Sequence, residues 1–179
     1  MMVRALPVLV ATLLAGCTPP PAAPPATRAA SGDPTLNSFL LGQGYQPVQL
    51  HRLATGHFMI AGTADSIPLT FIIDTGASHT ILDRNRSDRF AVVLADRNHR
   101  ASGLGVTGQQ VSGGVLSRVS LGPIQLDSLP VAVLDLSHIN LALRQMGIEP
   151  VDGIIGADML ARKPAVIDYG TLRLYVRTD

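Results

Sequence analysis

The hydrophobic residues fall into short runs, and this pattern predicts a domain built mostly of β-strands. Most runs are rich in Val, Ile and Leu and are bounded by Gly, Asp or Ser, as strands are in all-β proteins. Turns are predicted at 55–56 and 64–66, because Gly and Asp tolerate the backbone angles of tight turns. The predicted strands span 48–53, 56–62, 68–73, 115–121, 124–126, 129–134, 165–168 and 172–176. Many short strands at even spacing indicate a barrel-like, all-β domain.

Helical spacing is confined to short stretches. Residues 139–146 have the spacing of an amphipathic helix, with Gly147 as its stop, and 157–161 and 82–90 are shorter candidates. A chain of 179 residues favours one domain, since domains typically have about 100–200 residues. We therefore expect a single all-β barrel, with one or two short helices, over 36–179.

A glycine-rich segment at 102–114 predicts a mobile hairpin between two strands. Its glycines include Gly103, Gly105 and Gly108, whose spacing superficially resembles a dinucleotide-binding loop. That loop requires a strand before it, a helix after it and a later acidic residue. Since this setting is missing, the hairpin is the better interpretation.

The first residues have the features of a bacterial lipoprotein signal. Arg4 is followed by an apolar run at 5–15, which has the length of a signal-peptide core and is too short for a membrane span. The run leads into Leu-Ala-Gly-Cys at 14–17, which resembles the bacterial lipobox. The resemblance implies that residues 1–16 are a lipoprotein signal peptide and that Cys17 is lipidated. An ordinary signal peptide followed by an unmodified Cys17 is the alternative.

Residues 17–35 are predicted to be the lipidated cysteine and a Pro/Ala-rich tether. A stretch of this composition buries too little apolar surface to offset its ordering entropy. The domain would then be held at the cell envelope, facing the periplasm or the outside. Thr18 stands where an Asp would resemble an inner-membrane retention signal, which slightly favours the outer membrane. Cys17 is the only cysteine, so no internal disulfide is possible.

Charge and histidine content argue against nucleic-acid binding and against a metal site. The net charge is +1, and a nucleic-acid surface usually needs a larger basic stripe. The small cluster of Arg84, Arg86 and Arg89 is interpreted as a solvated helix face. The five histidines have no metal-ligand spacing, so neither a metal nor another cofactor is expected.

Two segments carry the chemistry. Residues 71–78 read Phe-Ile-Ile-Asp-Thr-Gly-Ala-Ser, so an apolar strand leads directly into a carboxylate, and residues 153–156 read Gly-Ile-Ile-Gly. With the glycine-rich hairpin between them, they resemble the active-site loop, the packing segment and the flap of retropepsin-like aspartic peptidases, the single-domain retroviral type. The resemblance covers nearly the whole chain from about Gln46 onward.

The resemblance implies roles for individual residues. Asp74 would be the catalytic carboxylate, Thr75 would brace the loop, and Gly76 would permit close approach of substrate. Ala77 stands where many two-lobed relatives have a Ser that donates to the catalytic carboxylate, so a mildly acidic to near-neutral pH optimum is expected. Ser78 completes the loop. Ile154, Ile155 and Gly156 would form the packing segment beside it, and Gly103, Gly105 and Gly108 are the flap candidates.

One motif supplies one carboxylate, whereas the mechanism needs two that share a proton. Asp152 precedes a glycine but lacks the following Thr-Gly, and the next residues fit the packing segment, so it is rejected as the partner. The resemblance therefore implies a homodimer with Asp74 from each chain across a two-fold axis. The substrate would be an extended peptide or protein segment.

The chain departs from the retroviral pattern in two places. Ser78 and Ala157 stand where retroviral enzymes often have an acidic residue and an Arg. Asp158 is expected to be structural, as a helix cap or loop brace. His79 is expected at the surface or in a turn, with a subsite role as the alternative. The final strand at 172–176 could pair internally, which leaves the dimer geometry open.

Three functions are compatible with the sequence. The leading one is an aspartic endopeptidase (a hydrolase) at the bacterial cell envelope. The second is a non-catalytic lipoprotein that kept the fold and binds extended peptides or partners. The third is a peptidase that takes its second carboxylate from a different subunit.

Overall fold

The computed structural model describes residues 34–103 and 106–178. The predicted signal peptide, Cys17 and nearly all of the tether lie outside the described residues, as does Gly105. The elements, in chain order, are α1 (Pro34–Gly42), β1 (Tyr45–Gln49), β2 (His51–Arg52), β3 (Phe58–Ala64), β4 (Ile67–Ile73), β5 (Ile81–Asp83), a 3₁₀ helix (Arg84–Arg89), β6 (Val93–Gly103), β7 (Val106–Leu121), β8 (Ile124–Leu134), α2 (Ser137–Gln145), β9 (Gly153–Ile155), α3 (Ala157–Arg162), β10 (Ala165–Asp168) and β11 (Arg173–Arg177).

Six strands close into a barrel in the order β3-β4-β9-β5-β8-β7, and β7 pairs back with β3. The pairs β4–β9 and β5–β8 are parallel, whereas the other barrel pairs are antiparallel. Alternate residues of the strands point inward, and the largest fully buried side chains include Phe71, Ile60, Leu69, Leu82 and Leu116. The expected all-β barrel is confirmed.

A second sheet of three strands, ordered β1-β11-β10, packs beside the barrel. Val48, Leu174 and Val176 of this sheet belong to the same buried cluster as the barrel residues. On the other side of the sheet, the Tyr175 hydroxyl lies 3.2 Å from Asn37 Oδ1 of α1. The predicted terminal hairpin therefore forms, and β11 pairs within the chain on both of its edges.

Some boundaries differ from the predictions. The predicted strand at 48–53 is two strands, because the chain passes at the buried Leu50 from the second sheet to the barrel. The predicted strands at 124–126 and 129–134 are one strand, β8, whose inward-outward alternation shifts where two exposed residues follow each other. Helix α1 was not predicted, although Leu36, Phe39 and Leu40 have helical spacing.

The arginine cluster lies on the 3₁₀ helix, where no residue is buried and Arg89 is exposed, but Arg86 and Arg89 also form ion pairs with Asp152. Arg86 Nε lies 2.7 Å and Arg89 Nη1 lies 2.5 Å from Oδ1 of Asp152, a residue that is only 2% exposed. Arg84 Nη2 donates to the Val133 carbonyl at 3.3 Å. The buried Asp152 carboxylate lies far along the chain from Arg86 and Arg89, and no local sequence pattern signals that it pairs with them.

Candidate active site

Asp74 lies where the barrel strand β4 ends. Its backbone N–H donates to the Ile155 carbonyl at 3.0 Å, which extends the parallel β4–β9 ladder by one residue. Its Oδ1 accepts a hydrogen bond from the Gly76 N–H at 2.9 Å, and its carbonyl accepts from the Ala77 N–H at 3.2 Å. The loop thus folds around the carboxylate and holds it at the end of a rigid strand.

The predicted packing segment lies directly beside this loop. Ile154 pairs with Ile72, and Ile155 pairs with Ile73. The next residue, Gly156, has no room for a side chain, since a Cβ there would lie 2.5 Å from the backbone carbonyl of His79 and 2.8 Å from the carbonyl oxygen of Ala77. The glycine is therefore required by close backbone approach and not by its backbone angles.

Thr80 and Asp158 connect the loop to helix α3. The backbone N–H and the hydroxyl of Thr80 both donate to Asp158 Oδ1 at 2.8 Å. The Thr80 Oγ1 also accepts from the Gly156 N–H at 3.2 Å, and Asp158 Oδ1 accepts from the Met159 N–H at 2.7 Å. The prediction that Asp158 braces the loop is confirmed. Sequence reasoning missed Thr80, because a buried threonine next to a strand is common and gives no distinguishing signal.

His79 is exposed next to this brace. Its Nδ1 lies 3.9 Å from Asp158 Oδ2, and its side chain is 76% exposed. The surface position expected for His79 is therefore correct.

Asp152 does not face the active-site loop. Its Oδ2 accepts from the backbone N–H of Thr70 at 2.8 Å and from the Thr70 hydroxyl at 3.2 Å, while Oδ1 is paired with Arg86 and Arg89. The carboxylate is thus fully committed to a buried network between β4 and the 3₁₀ helix. Its rejection as the partner of Asp74 agrees with this geometry.

Asp74 stands at the junction of two cavities. The smaller has a volume of about 170 Å³ and is lined by Gly56, His57, Phe58, Ile73, Asp74, Thr75, Ile167 and Tyr169. The larger has a volume of about 290 Å³ and is lined by Thr55, His57, Ile72, Asp74, His138, Ile139, Ala142, Leu143, Met146 and Ile154. Among the described residues, Asp74 is the only carboxylate that lines either one. Asp74, Thr75, Gly76 and Ser78 are exposed, and Ala77 is half-buried.

The glycine-rich segment is the end of a long hairpin formed by β6 and β7. Its last pairs are Ser102 with Thr107 and Gly103 with Val106. Gly108 has no partner, because Gln109 pairs with Ala101 and the register shifts at this point. A hairpin of this kind is consistent with a flap, and the assignment of Gly103, Gly105 and Gly108 to its moving tip stays a prediction.

Two further features are absent from the described part of the chain. No group of three or more His, Cys, Asp or Glu side chains there is arranged to hold a metal ion. No helix within 34–103 or 106–178 is long and apolar enough to cross a membrane.

The described residues thus form a closed β-barrel that carries an Asp-Thr-Gly loop at the end of a strand. A family model described as aspartyl protease matches residues 58–159. This is more than half of the chain, and the chain belongs to the aspartyl protease family.

Similar proteins are distant. An uncharacterized protein in the cobV 5′ region of Sinorhizobium sp. is 26% identical over 105 residues, which are 58% of this chain and 45% of that protein. The chain thus spans less than half the length of this curated relative.

Three solved structures are also similar. A retropepsin-like aspartic protease from Rickettsia conorii has a TM-score of 0.46 at 19% identity, and the matched region covers 74% of this chain and 89% of that protein. The retroviral protease-like domain of Ddi1 from Leishmania major has a TM-score of 0.46 at 19% identity, with 68% and 88% covered. EIAV protease complexed with the inhibitor HBY-793 has a TM-score of 0.40 at 20% identity, with 58% and 85% covered.

Proposed function

We propose that this chain is an aspartic endopeptidase in which Asp74 and a second carboxylate activate the water that attacks a peptide bond. The observation that carries the proposal is the exposed Asp74 carboxylate, fixed by the Gly76 N–H at 2.9 Å between two cavities. In a pair of carboxylates a few ångströms apart, one ionised member takes a proton from the water while the other, protonated, donates to the carbonyl oxygen.

The second carboxylate is supplied by another copy of the chain. Each copy brings one Asp74 to the site, and a two-fold axis beside the loop would place the two carboxylates opposite each other. This arrangement is supported by the exposure of Asp74 and Thr75, which a partner would cover. The proposed assembly is therefore an isologous homodimer that cleaves peptide or protein substrates.

Strand β10 is the element best placed to form the dimer contact. Both edges of β11 are occupied by β1 and β10, so in the described residues the free edge of this sheet near Asp74 belongs to β10. Ile167 of β10 and the following Tyr169 line the smaller cavity together with Asp74. An uncovered edge strand readily pairs with another strand, and antiparallel pairing of two β10 edges would join the two sheets across the axis.

The proposed location is the cell envelope. The lipobox-like sequence at 14–17 would attach a lipid to Cys17, and the Pro/Ala-rich segment after it would separate the peptidase from the membrane. The periplasmic or outer face of the envelope, with the outer membrane slightly favoured, is then the place of cleavage.

The test compares the full-length chain, purified in detergent, with Asp74→Asn and with Asp127→Asn, an exposed carboxylate that lines neither cavity. Cleavage of a peptide mixture is followed by mass spectrometry from about pH 3 to pH 8, the range in which a carboxylate pair changes protonation, and molecular mass is measured at each protein concentration. We expect a loss of at least about 10²-fold in Asp74→Asn only, and activity that rises with the dimer fraction.

Other outcomes would support the other functions. A stable monomer that binds extended peptides but never cleaves them would indicate the non-catalytic lipoprotein. Cleavage that appears only after addition of an envelope extract, and still requires Asp74, would indicate a second subunit of different sequence.

A further inference from the structure

Helix α1 packs on the face of the second sheet that points away from the barrel. On β11, Leu174 and Val176 belong to the barrel cluster, and Tyr175 between them points the other way, because successive side chains of a strand alternate. The Tyr175 hydroxyl lies 3.2 Å from Asn37 Oδ1 of α1. Leu40 of α1 is buried but does not belong to the barrel cluster. The second sheet therefore lies between α1 and the barrel.

Helix α1 also exposes two large apolar side chains close to the predicted tether. Phe39 is 64% exposed and Leu41 is 44% exposed. Exposed apolar residues are ordinary on a soluble domain, but α1 begins at Pro34, only 17 positions after Cys17. An extended chain spans at most about 3.5 Å per residue, so a lipid on Cys17 would keep α1 within about 60 Å of the membrane.

Hydrogen bonds join the end of α1 to the ends of two strands of the second sheet. The Gly44 N–H donates to the Leu41 carbonyl at 3.1 Å, and the Gly44 carbonyl accepts from the Thr178 N–H at 3.3 Å. The Arg177 N–H donates at 3.0 Å to the carbonyl of Pro164, just before β10 begins. The end of α1, the start of β10 and the end of β11 thus meet at one end of the sheet.

Basic side chains are concentrated at this end. Arg177 is exposed and lies on the α1 face of β11, because it is two residues from Tyr175. Arg162 is exposed and Lys163 is half-buried, both shortly before β10. The carboxylate of Asp168 is at the opposite end of β10. Cations placed in this way are complementary to the headgroups of anionic lipids.

We propose that α1 and the basic end of the second sheet dock on an anionic phospholipid surface, with Phe39 and Leu41 inserted among the headgroups. The proposal rests on the proposed location at the cell envelope. A contact of this size is weak for a free protein. A tether makes it intramolecular, however, and so raises the effective concentration of the lipid surface.

Docking in this orientation would leave the Asp74 site facing away from the lipid. Ile167 of β10 packs against the barrel cluster and lines the smaller cavity together with Asp74, so the site lies on the barrel side of the sheet. Antiparallel pairing of two β10 edges requires a two-fold axis perpendicular to the sheet, which keeps both α1 helices of the proposed dimer on one face. Both helices could then contact the same membrane.

The test measures contact between α1 and lipid in the full-length chain, lipidated and reconstituted in vesicles. Cys17 is the only cysteine and would carry the lipid, so Gly42→Cys supplies one thiol for a fluorescent label. A Cβ at Gly42 meets nothing within 4 Å. Leu141→Cys, at an exposed position of α2, is the control. Quenching by a lipid with a nitroxide headgroup is compared in vesicles of phosphatidylcholine alone and with phosphatidylglycerol added.

We expect strong quenching of the Gly42→Cys label in vesicles with phosphatidylglycerol and little quenching of the control label. The double variant of Phe39→Ser and Leu41→Ser should lose most of it, and Arg177→Gln should lower the ratio of docked to free protein about 5-fold. Arg144→Gln, an exposed position of α2, should change nothing. Equal quenching at the two label positions, no loss in the double variant, or equal quenching in both kinds of vesicle would overturn the proposal.

Failure of the proposed location can be recognised separately. The mass of the purified protein shows whether Cys17 carries a lipid, and a protein without lipid would contradict that location. The unlipidated protein is then floated with the two kinds of vesicle. Flotation with phosphatidylglycerol vesicles alone, lost in the Phe39 and Leu41 double variant, would still support the docking surface, and any other result would overturn it. Neither readout uses catalysis, so Asp74→Asn should behave as the wild type.

Discussion

Thr80 is bound to Asp158 by both its backbone N–H and its hydroxyl, each at 2.8 Å from the same carboxylate oxygen. Thr80 is fully buried, and its Oγ1 also accepts from the Gly156 N–H at 3.2 Å. One threonine therefore joins the end of the Asp74 loop, the packing segment and helix α3.

Removal of this hydroxyl should loosen the loop. Thr80→Val has nearly the same shape but leaves the Gly156 N–H without its acceptor, and a buried unsatisfied group costs about 1–3 kcal/mol. We expect the free energy of unfolding in urea to fall by that amount, together with peptidase activity. The control is Thr63→Val, at a half-buried position of β3. An equal loss of unfolding free energy in both variants would contradict a special role of Thr80.

Replacement of the buried carboxylate should have a larger effect. Asp152→Ala leaves the Thr70 N–H without its acceptor and removes the partner of both Arg86 and Arg89. Breaking a buried ion pair costs about 3–5 kcal/mol, and we expect the lower end, because the arginine side chains are 27% and 40% exposed. Arg86→Met or Arg89→Met alone should cost less, since the other arginine remains. Urea unfolding of the three variants measures this order, and a smaller loss in Asp152→Ala than in either arginine variant would contradict it.

Gly156 should tolerate no side chain. In Gly156→Ala the new Cβ would meet the His79 backbone at 2.5 Å, and overpacking of this kind costs about 1–3 kcal/mol. Because the displaced backbone follows the Asp74 loop, activity should fall as well. Gly42→Ala is the matched control, with nothing within 4 Å of its Cβ. Thermal unfolding should show a lower stability for Gly156→Ala than for Gly42→Ala. Unchanged stability of Gly156→Ala would show that the packing around Gly156 is looser than these distances indicate.

The turn that presents Tyr169 should be sensitive to acid. The pKa of Asp168 is lowered from its ordinary value, chiefly because the Thr171 hydroxyl donates to its carboxylate. Burial opposes this shift, and the backbone N–H groups of Gly170 and Thr171 lower the pKa further. Folding therefore favours the ionised form. Its stabilising contribution is complete above the ordinary pKa and is lost as pH falls through the lowered pKa.

Asp168→Asn should accordingly be less stable than the wild type at pH 7, and the difference should shrink below about pH 4. Urea unfolding at several pH values measures this, and Thr171→Val should show the same trend. A stability difference that stays constant down to pH 2 would mean that the ionised carboxylate contributes nothing.

The residue after the Asp-Thr-Gly triplet should affect the pH optimum. Ala77 is half-buried and cannot donate a side-chain hydrogen bond, whereas a Ser would stabilise the ionised carboxylate pair and shift activity to lower pH. We expect a mildly acidic to near-neutral optimum for the wild type and a more acidic one for Ala77→Ser. A pH–rate profile measures both, and a wild-type peak well below pH 4 would contradict the expectation.

Much of the fold was predictable from local patterns. The strand at 68–73, the helix ending before Gly147 and the terminal hairpin were all recognisable, because each depends on alternation, helical spacing or turn residues within a few positions. The Asp-Thr-Gly loop and the Gly-Ile-Ile-Gly segment could be placed side by side because both resemble one known family.

Other features escaped prediction because their partners lie far apart in sequence. The Arg86–Asp152 and Thr80–Asp158 contacts join residues separated by 66 and 78 positions, and no local pattern signals either pair. The break in alternation at Asp127 and Ser128 looked like a strand boundary, whereas pairing with β7 carries β8 through it.

By itself, the sequence determined that the chain forms a β-barrel with a carboxylate at the end of a buried strand, because hydrophobic alternation and the Asp-Thr-Gly triplet are local properties. Only the tertiary structure decided that Asp152 is committed to arginines, that β11 is paired on both edges, and that α2 forms a wall beside Asp74. These depend on which distant segments the closed barrel brings together, and burial then determines which polar groups must find partners.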